Sequence, residues 1–307
     1  MACIRIVRPG LLTTVQDEGR VGYGHLGVPK CGALDAYALR WAQRLAGEGR
    51  ESPALEVTLL GPTIEIVGET SAGLAGADLG ASLNGVPWPP GEGRHLRAGD
   101  VIAFNGPREG LRAYLAFRGG VEAGLVLGSR STDLQSGIGG FHGRPLRAGD
   151  VLSVGEGCEP LRRAPVPTMR GGDVVRVMAG PRDGLFPGDA LTLLTRAPYT
   201  VKTESDRVGM RLQGEPIPKA PGSILSEGMP LGAIQVPPSG QPIVLLHARG
   251  TVGGYPVLAT VISADLPVLA QRKPGEGVRF TLVDLWTARE ALRAQSALLE
   301  MPLVDRT

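Results

Sequence analysis

The sequence predicts a mainly β protein made of two related halves, and three observations carry that expectation. First, Val15-Gln-Asp-Glu-Gly-Arg-Val-Gly-Tyr-Gly-His-Leu-Gly-Val-Pro29 aligns without a gap on Lys202-Thr-Glu-Ser-Asp-Arg-Val-Gly-Met-Arg-Leu-Gln-Gly-Glu-Pro216. Arg20/Arg207, Val21/Val208, Gly22/Gly209, Gly27/Gly214 and Pro29/Pro216 coincide, and an acid, Asp17 or Glu204, stands ahead of each arginine. An echo at so long a range points to a duplicated barrel-like unit, because solenoid repeats are short and numerous. Second, the chain has 307 residues, more than the roughly 250 to 300 at which a single hydrophobic core stops growing. Third, 46 glycines and 26 prolines punctuate short runs rich in β-branched and aromatic residues, as tight turns between many short strands require.

Taken in order, the candidate strands are 4–8, 55–60, 63–67, 101–105, 112–118, 151–154, 173–178, 243–248, 257–263 and 278–283. The segment LRAGDV occurs identically at 96–101 and 146–151, and Lys273-Pro-Gly-Glu-Gly-Val-Arg-Phe280 has the same turn-then-strand character. These read as hairpin corners feeding a buried strand. Leu34, Tyr37, Ala38, Trp41 and Leu45 fall at helical spacing, with Gly47 placed to end the helix. Asp189 is a candidate N-cap for a helix over 190–195. Asp284 would cap a longer helix carrying Leu285, Ala288, Leu292, Gln295 and Leu299, one face of which is expected to pack on a barrel. The stretch 157–172, rich in proline and arginine and without periodicity, is the linker candidate. The expected organisation is therefore a domain over 1–160, a linker over 161–172, and a second domain with a terminal helix over 173–307.

A net charge of +2 gives no electrostatic case for nucleic acid or an anionic membrane. Cys3, Cys31 and Cys158 are sparse and lack CxxC spacing, which argues against a disulfide framework or a zinc knuckle. The first ten residues contain no long apolar stretch, and no run approaches the 18 to 20 or so apolar residues of a membrane helix, so a soluble, cytoplasmic protein is expected. The chain has no GxxxxGK[ST], HExxH, GxSxG or SxxK motif. In Gly137-Ile-Gly-Gly-Phe-His-Gly143, His142 stands where a dinucleotide fingerprint needs glycine. No Met-Lys-Met triplet offers a biotin attachment point, and His25, His95, His142 and His247 show no metal-ligand spacing, so neither attached biotin nor a metal is expected.

Polar clusters inside glycine-rich turns remain as candidate sites. The first is Gln16, Asp17 and Arg20: an arginine fork can hold a carboxylate at two points, and a nearby Asp can orient it or take a proton. The alternative is a buried Asp–Arg pair that stiffens the turn. The second is Gly128-Ser-Arg-Ser-Thr-Asp133, where Ser129, Ser131, Thr132 and the backbone around Arg130 form either an anion nest or a capped turn. In the second half stand Arg207, Glu227, Tyr255 and Asp265. Glu227 or Asp265 is a candidate general base if burial raises its pKa, and Tyr255 a candidate donor to a developing oxyanion. For each acid, a structural pairing with arginine is the competing explanation.

Arg8-Pro-Gly-Leu-Leu-Thr-Thr-Val-Gln-Asp-Glu-Gly-Arg-Val-Gly-Tyr-Gly24, Gly119-Gly120 after Ala-Tyr-Leu-Ala-Phe, and Leu127-Gly-Ser-Arg-Ser-Thr132 together resemble the biotin-dependent carboxyltransferase family, also described as allophanate hydrolase subunit 2-like. Asp206-Arg-Val-Gly209, Ser226-Glu-Gly-Met-Pro-Leu-Gly-Ala-Ile-Gln-Val-Pro-Pro238 and Gly253-Gly-Tyr-Pro-Val-Leu-Ala-Thr-Val-Ile-Ser-Ala-Asp-Leu-Pro267 extend the resemblance almost from end to end. It implies two tandem cyclophilin-like β-barrel domains with a few short helices. Its stand-alone bacterial members resemble KipA and the C subunit of ATP-dependent 5-oxoprolinase. The resemblance further implies two partners, a KipI-like B subunit and a LamB/YcsF-like A subunit, with ATP bound in their company.

The leading functional expectation is a subunit of an ATP-dependent 5-oxoprolinase that opens 5-oxo-L-proline to L-glutamate. The alternatives are carboxyl transfer to urea or a related amide with biotin supplied in trans, and a non-catalytic KipA-like regulatory role. Amide resonance makes the lactam carbonyl a poor electrophile, so phosphorylation of its oxygen before hydrolysis would need charge stabilisation on oxygen and a clamp for the free carboxylate. On chemical grounds Arg20, Arg130 and Arg207 are the candidate clamps; Ser129, Ser131, Thr132 and Tyr255 the donors; Asp17, Glu227 and Asp265 the acids or bases; and Gln16 a further binding residue.

Overall fold

The computed structural model describes residues 2–158, 160–218, 220 and 224–305. In the first half the strands are β1 (Ala2–Arg8), β2 (Leu12–Gln16), β3 (Ala54–Thr58), β4 (Thr63–Val67), β5 (Thr70–Asp78), β6 (Ala81–Leu83), β7 (Val86–Pro87), β8 (Glu92–Leu96), β9 (Val101–Phe104), β10 (Glu109–Phe117), β11 (Val151–Val154) and β12 (Arg162–Arg163). There follow β13 (Val174–Ala179), β14 (Tyr199–Val201), β15 (Gly209–Gln213), β16 (Glu227–Gly228), β17 (Ala233–Gln235), β18 (Ile243–Leu245), β19 (Val252–Gly253), β20 (Val257–Val261), β21 (Gly277–Leu282) and β22 (Val304–Asp305). The α-helices are α1 (Ala36–Leu45), α2 (Ala190–Arg196), α3 (Leu266–Ala270) and α4 (Leu285–Glu300). The mainly β class is present as expected, and no helix among the described residues is long and apolar enough to cross a membrane.

The chain divides into two compact units. The first holds Met1–Arg20, Cys31–Arg170 and Leu298–Thr307; the second holds Val21–Lys30 and Gly171–Ala297. In the first unit the strands form two sheets, ordered β11-β1-β4-β9-β6-β7 and β2-β3-β10-β5-β8-β12-β22, and not one closed ring. Ile4, Ile6 and Ile64 of one sheet join Val15, Leu55, Leu74, Leu115 and Phe117 of the other in one buried cluster. β10 is buried on both faces, so Tyr114 and Ala116 face the opposite way, into a second cluster with Tyr37, Ala38, Trp41 and Ala42 of α1. Alternation along a single strand thus serves two cores. In the second unit seven strands close a barrel, β13-β20-β17-β18-β15-β14-β21, and β16 and β19 make a separate ribbon.

The repeated LRAGDV segments build the same corner twice. Arg97 and Arg147 each donate a main-chain N–H to the Asp100 or Asp150 carboxylate at 2.7 Å. The corner amides of Gly99 and Gly149 donate to Ile66 and Ile6 carbonyls at 2.9 and 2.8 Å. In the second unit Lys273 donates its main-chain N–H to Glu276 at 3.0 Å, the same device with a longer acid.

Helix α1 starts where expected, because Asp35 accepts the Ala38 N–H at 2.8 Å, and it ends at Gly47, whose φ is 77°. Asp284 likewise caps α4 through the Thr287 N–H, and this bond holds its carboxyl below the usual range. Asp189 stands at the N-cap of α2 but makes no side-chain capping bond. Two expectations need correction. Residues 161–170 belong to the first unit: β12 pairs with β8 and β22, and the Thr168 hydroxyl accepts the Gly76 N–H at 3.1 Å. A two-residue strand between β8 and β22, set in a proline-rich stretch, has no periodicity to read, which is why it resembled a linker. The face of α4 expected to cover a barrel does not: only Gln295 is buried, and Leu285 and Leu292 are exposed. Its last residues belong instead to the first unit, where Arg44 donates to the carbonyls of Leu299 and Met301.

Gly73 on β5 faces α1, and a Cβ there would run into the Ala42 carbonyl and come within 2.5 Å of Leu45 Cβ. Gly73→Ala is therefore expected to destabilise the protein by about 1–3 kcal/mol, as overpacking does, in equilibrium urea unfolding. Tyr199 is buried, and its hydroxyl donates to the Glu215 carbonyl at 3.2 Å. Burial, with Glu215 adding, raises its pKa to about 12. The protonated phenol is thus favoured by the fold, and the second unit should lose stability as pH rises from about 10, where the unfolded phenol ionises, to about 12. Unfolding midpoints across that window should show the loss in the wild type and a smaller one in Tyr199→Phe.

Candidate functional site

At the end of β2 the chain meets a segment that is more than a hundred residues distant in sequence. Leu127 and Gly128, with φ of 52° and 74°, reverse the backbone so that Ser129-Arg130-Ser131 lies against Asp17. Thr132 continues the contact, donating its N–H and its hydroxyl to the Val15 carbonyl at 3.0 and 2.9 Å. Gln16 reaches across to Thr14 and to the Thr132 carbonyl.

The Asp17 carboxylate, 7% exposed, is the hub. Its Oδ1 accepts the Ser129 hydroxyl at 2.6 Å, the Ser131 hydroxyl and the Gly19 N–H at 2.8 Å; its Oδ2 accepts the Arg130 N–H at 2.6 Å. The two hydroxyls are in turn acceptors, Ser129 from the Ser131 N–H and Ser131 from the Asp17 N–H. Four donors on one carboxylate satisfy the buried charge. They also leave it committed, so the arrangement suits holding a loop better than taking a proton.

Arg130 is held by its main chain at both ends, its N–H on Asp17 and its carbonyl accepting the Gly140 N–H at 2.9 Å. Arg130 lines a cleft of about 530 Å³ bordered by Ser52, Gly119, Gly120 and Glu122. A second cleft of about 620 Å³ shares Glu122, Ala123 and Ser153 and runs along the turn 137–143. Gly119 and Gly120 adopt φ of 68° and 73°, and a Cβ on Gly120 would lie 2.7 Å from the Ser52 hydroxyl. Arg20 is 1% exposed; its Nη2 donates to the Ser131 carbonyl, while Nε and Nη1 have no partner among the described residues. The Asp17–Arg20 pair weighed from the sequence is thus replaced by Asp17 on serine hydroxyls and Arg20 on a carbonyl.

The second-half candidates do not converge in the same way. Asp265, 3% exposed, accepts the Arg176 N–H at 2.8 Å and both Nε and Nη2 of the same arginine at 2.9 and 2.6 Å. That fork ties β13 to the start of α3, which is the structural role weighed against catalysis. Glu227 pairs with Arg182 at 3.3 Å on the β16–β19 ribbon. Tyr255 is half exposed, and its carbonyl, not its hydroxyl, takes the Gln235 amide at 3.1 Å. Arg207 is buried beside β15, its carbonyl accepting the Ala248 N–H. Its echo acid Glu204 lies on the surface within 3.3 Å of Lys202.

A further polar network escaped sequence reading. Glu56 on β3 accepts the Leu34 N–H at 2.9 Å and the Tyr114 hydroxyl at 2.7 Å, and that hydroxyl accepts the Asp35 N–H at 2.8 Å. Burial, with Glu56 adding, pushes the Tyr114 hydroxyl well above its ordinary pKa. The only signal was a charged residue in the middle of an otherwise apolar strand.

Comparison with known proteins places this geometry. Residues 26–282 match the model of the carboxyltransferase domain, subdomain A and B. The chain belongs to this carboxyltransferase domain family. It is 38% identical to the 5-oxoprolinase C subunit of Escherichia coli, over 97% of this chain and 96% of that one. It is 33% identical to the urea amidolyase of Lachancea kluyveri, over 96% of this chain but 18% of the relative. Among solved structures, the Kluyveromyces lactis urea carboxylase superposes with a TM-score of 0.91 at 30% identity, over 97% of this chain and 29% of that one. TTHA0988 superposes with a TM-score of 0.83 at 39% identity, over 92% of this chain and 56% of that one. The carboxyltransferase fold therefore occurs at the length of this chain and within much longer ones.

Asp17→Asn keeps the volume of the hub but presents an amide where the serine hydroxyls and main-chain N–H groups need acceptors. It is expected to cost about 2–4 kcal/mol. Ser129→Ala, which removes one donor and leaves three, is expected to cost about 1 kcal/mol. Urea unfolding of both variants checks the order, and equal effects would refute the hub.

Proposed function

We propose that this carboxyltransferase-family chain is the C subunit of a heteromeric ATP-dependent 5-oxoprolinase, which opens 5-oxo-L-proline to L-glutamate. The observation that carries the reading is coverage in both directions: the Escherichia coli 5-oxoprolinase C subunit is matched over 97% of this chain and 96% of its own length. The corresponding Haemophilus influenzae protein supports it, at 35% identity over 94% of this chain and 93% of that one. The urea amidolyases, by contrast, are matched over a fifth or less of their length.

The partners in this proposal are a KipI-like B subunit and a LamB/YcsF-like A subunit, in a cytoplasmic complex. ATP fits poorly beside Arg130 in the first unit of this chain. Its 530 Å³ cleft sets Glu48, Glu51 and Glu122 around the single guanidinium of Arg130, and a triphosphate would meet three negative charges there. We therefore route no step of this chain through ATP. The contribution left to it is to bind the lactam and orient it for attack, which converts an encounter into a positioned reaction. A second reading, carboxyl transfer to an amide with biotin supplied in trans, is favoured by the TM-score of 0.91 with urea carboxylase.

The test is glutamate release from 5-oxoproline by this chain mixed with its candidate partner subunits and ATP, compared with each omission. Release that disappears when this chain is left out is the expected outcome. An assembled complex without turnover, or turnover that requires a biotinylated carrier, would overturn the reading in favour of carboxyl transfer.

A further inference from the structure

Arg130 lines the cleft of about 530 Å³, which Arg50, Arg144 and Arg147 do not. Its N–H is bound by the Asp17 carboxylate and its carbonyl by Gly140, so the main chain has no freedom left. Yet among the described residues its guanidinium takes part in no hydrogen bond or ion pair, whereas Arg144 pairs with Asp150 at 2.8 Å and Arg50 with Glu18 at 2.9 Å. A fully satisfied buried carboxylate with two serines beside it is an expensive pedestal for a residue with nothing to hold.

We propose that the cleft of about 530 Å³ bordered by Ser52, Gly119, Gly120, Glu122 and Arg130 binds a small monocarboxylate that also carries amide-type N–H groups. The volume lies within the range of about 300 to 1,000 Å³ typical of small-molecule sites. The Arg130 fork takes the carboxylate in bidentate fashion. Glu122, exposed and lining the same cleft, accepts N–H donors, and so does Glu48 with the capacity it retains beyond the Gly119 N–H. The buried Ser52 hydroxyl, without a partner among the described residues, is positioned at the same wall. One cation among three carboxylates selects against polyanions and favours a single negative charge flanked by donors.

A cyclic lactam acid such as 5-oxoproline has this chemistry, and so does a carboxylated urea. Naming 5-oxoproline as the ligand rests on the proposed function, whereas the carboxylate site itself does not.

The experiment is isothermal titration of the full chain, wild type and Arg130→Ala, with 5-oxo-L-proline, N-carbamoylglycine and 2-pyrrolidinone, the last lacking a carboxylate. Circular dichroism melting of Arg130→Ala is expected to match the wild type, because the side chain has no partner to lose; Arg130→Gln serves if it does not. 5-Oxoproline is expected to bind the wild type and to weaken about ten- to a hundredfold in the variant, the worth of a hydrogen-bonded charge. 2-Pyrrolidinone is expected to bind weakly and equally to both. Arg130-dependent binding of N-carbamoylglycine alone would support the site while overturning 5-oxoproline as its ligand. Absence of carboxylate binding by the wild type, or equal affinities in wild type and variant, would overturn the site, whatever the complex does with 5-oxoproline.

Discussion

The carboxylate of Asp17 is the constraint on which the first unit's site depends. It gathers two hydroxyls and two main-chain N–H groups where the end of β2 meets the turn after Val126. Burying a charge is costly unless it is well hydrogen-bonded, and here four donors converge on it. The consequence is geometric: Ser129, Arg130 and Ser131 have one permitted position relative to β2. That strand is in turn fixed by its register with β3, from Leu12 opposite Thr58 to Gln16 opposite Ala54. The position of one guanidinium is thereby referred back to the core of the sheet.

The glycines around the hub are part of the same constraint. A Cβ on Gly139 would collide with both Arg20 and the Ser131 carbonyl, and one on Gly140 would collide with the Thr132 hydroxyl. Their φ values of 68° and 54° are in the region where glycine carries no penalty. The apparent nucleotide-type motif at 137–143 therefore has a local explanation, as the outer layer that lets a buried arginine and a serine carbonyl approach the backbone. Its glycines serve packing, which is why their spacing does not follow a phosphate-binding pattern.

Much of this was legible in the sequence wherever a local rule and the global fold agree. Asp35, Gly47 and the apolar spacing of Leu34 to Leu45 define α1, and the repeated LRAGDV betrays two identical corners because an Asp side chain closing on the amide three residues back needs no tertiary help. The hub residues drew attention because acids, hydroxyls and arginine cluster in glycine-rich turns. What could not be read was partnership at long range. Asp17 chooses Ser129 and Ser131 over the nearby Arg20, Asp265 chooses Arg176, and Glu56 chooses Tyr114. Residue types alone do not distinguish a general base from a carboxylate already saturated by donors. The short strand at Arg162–Arg163 and the exposed face of α4 escaped for a related reason, since both depend on what lies beside them.

The two halves show how the same letters acquire different roles. Leu12, where β2 begins, and Tyr199, where β14 begins, occupy matching positions in the internal echo, so the related strands start in step. After that the halves diverge. Asp17 is buried under serines, whereas Glu204 is exposed beside Lys202 and Thr203, and a bond from its own main-chain N–H, with Thr203 and Lys202 adding, holds its carboxyl below the usual range. Among the described residues no Ser-Arg-Ser turn faces the second half's acid, whose side-chain partners are Lys202 and Thr203. A longer acid on an open surface needs no pedestal beneath it and provides none. The echo thus preserves what the strands need in order to close a sheet, while the serine-bound acid beside Arg130 is a feature of the first half.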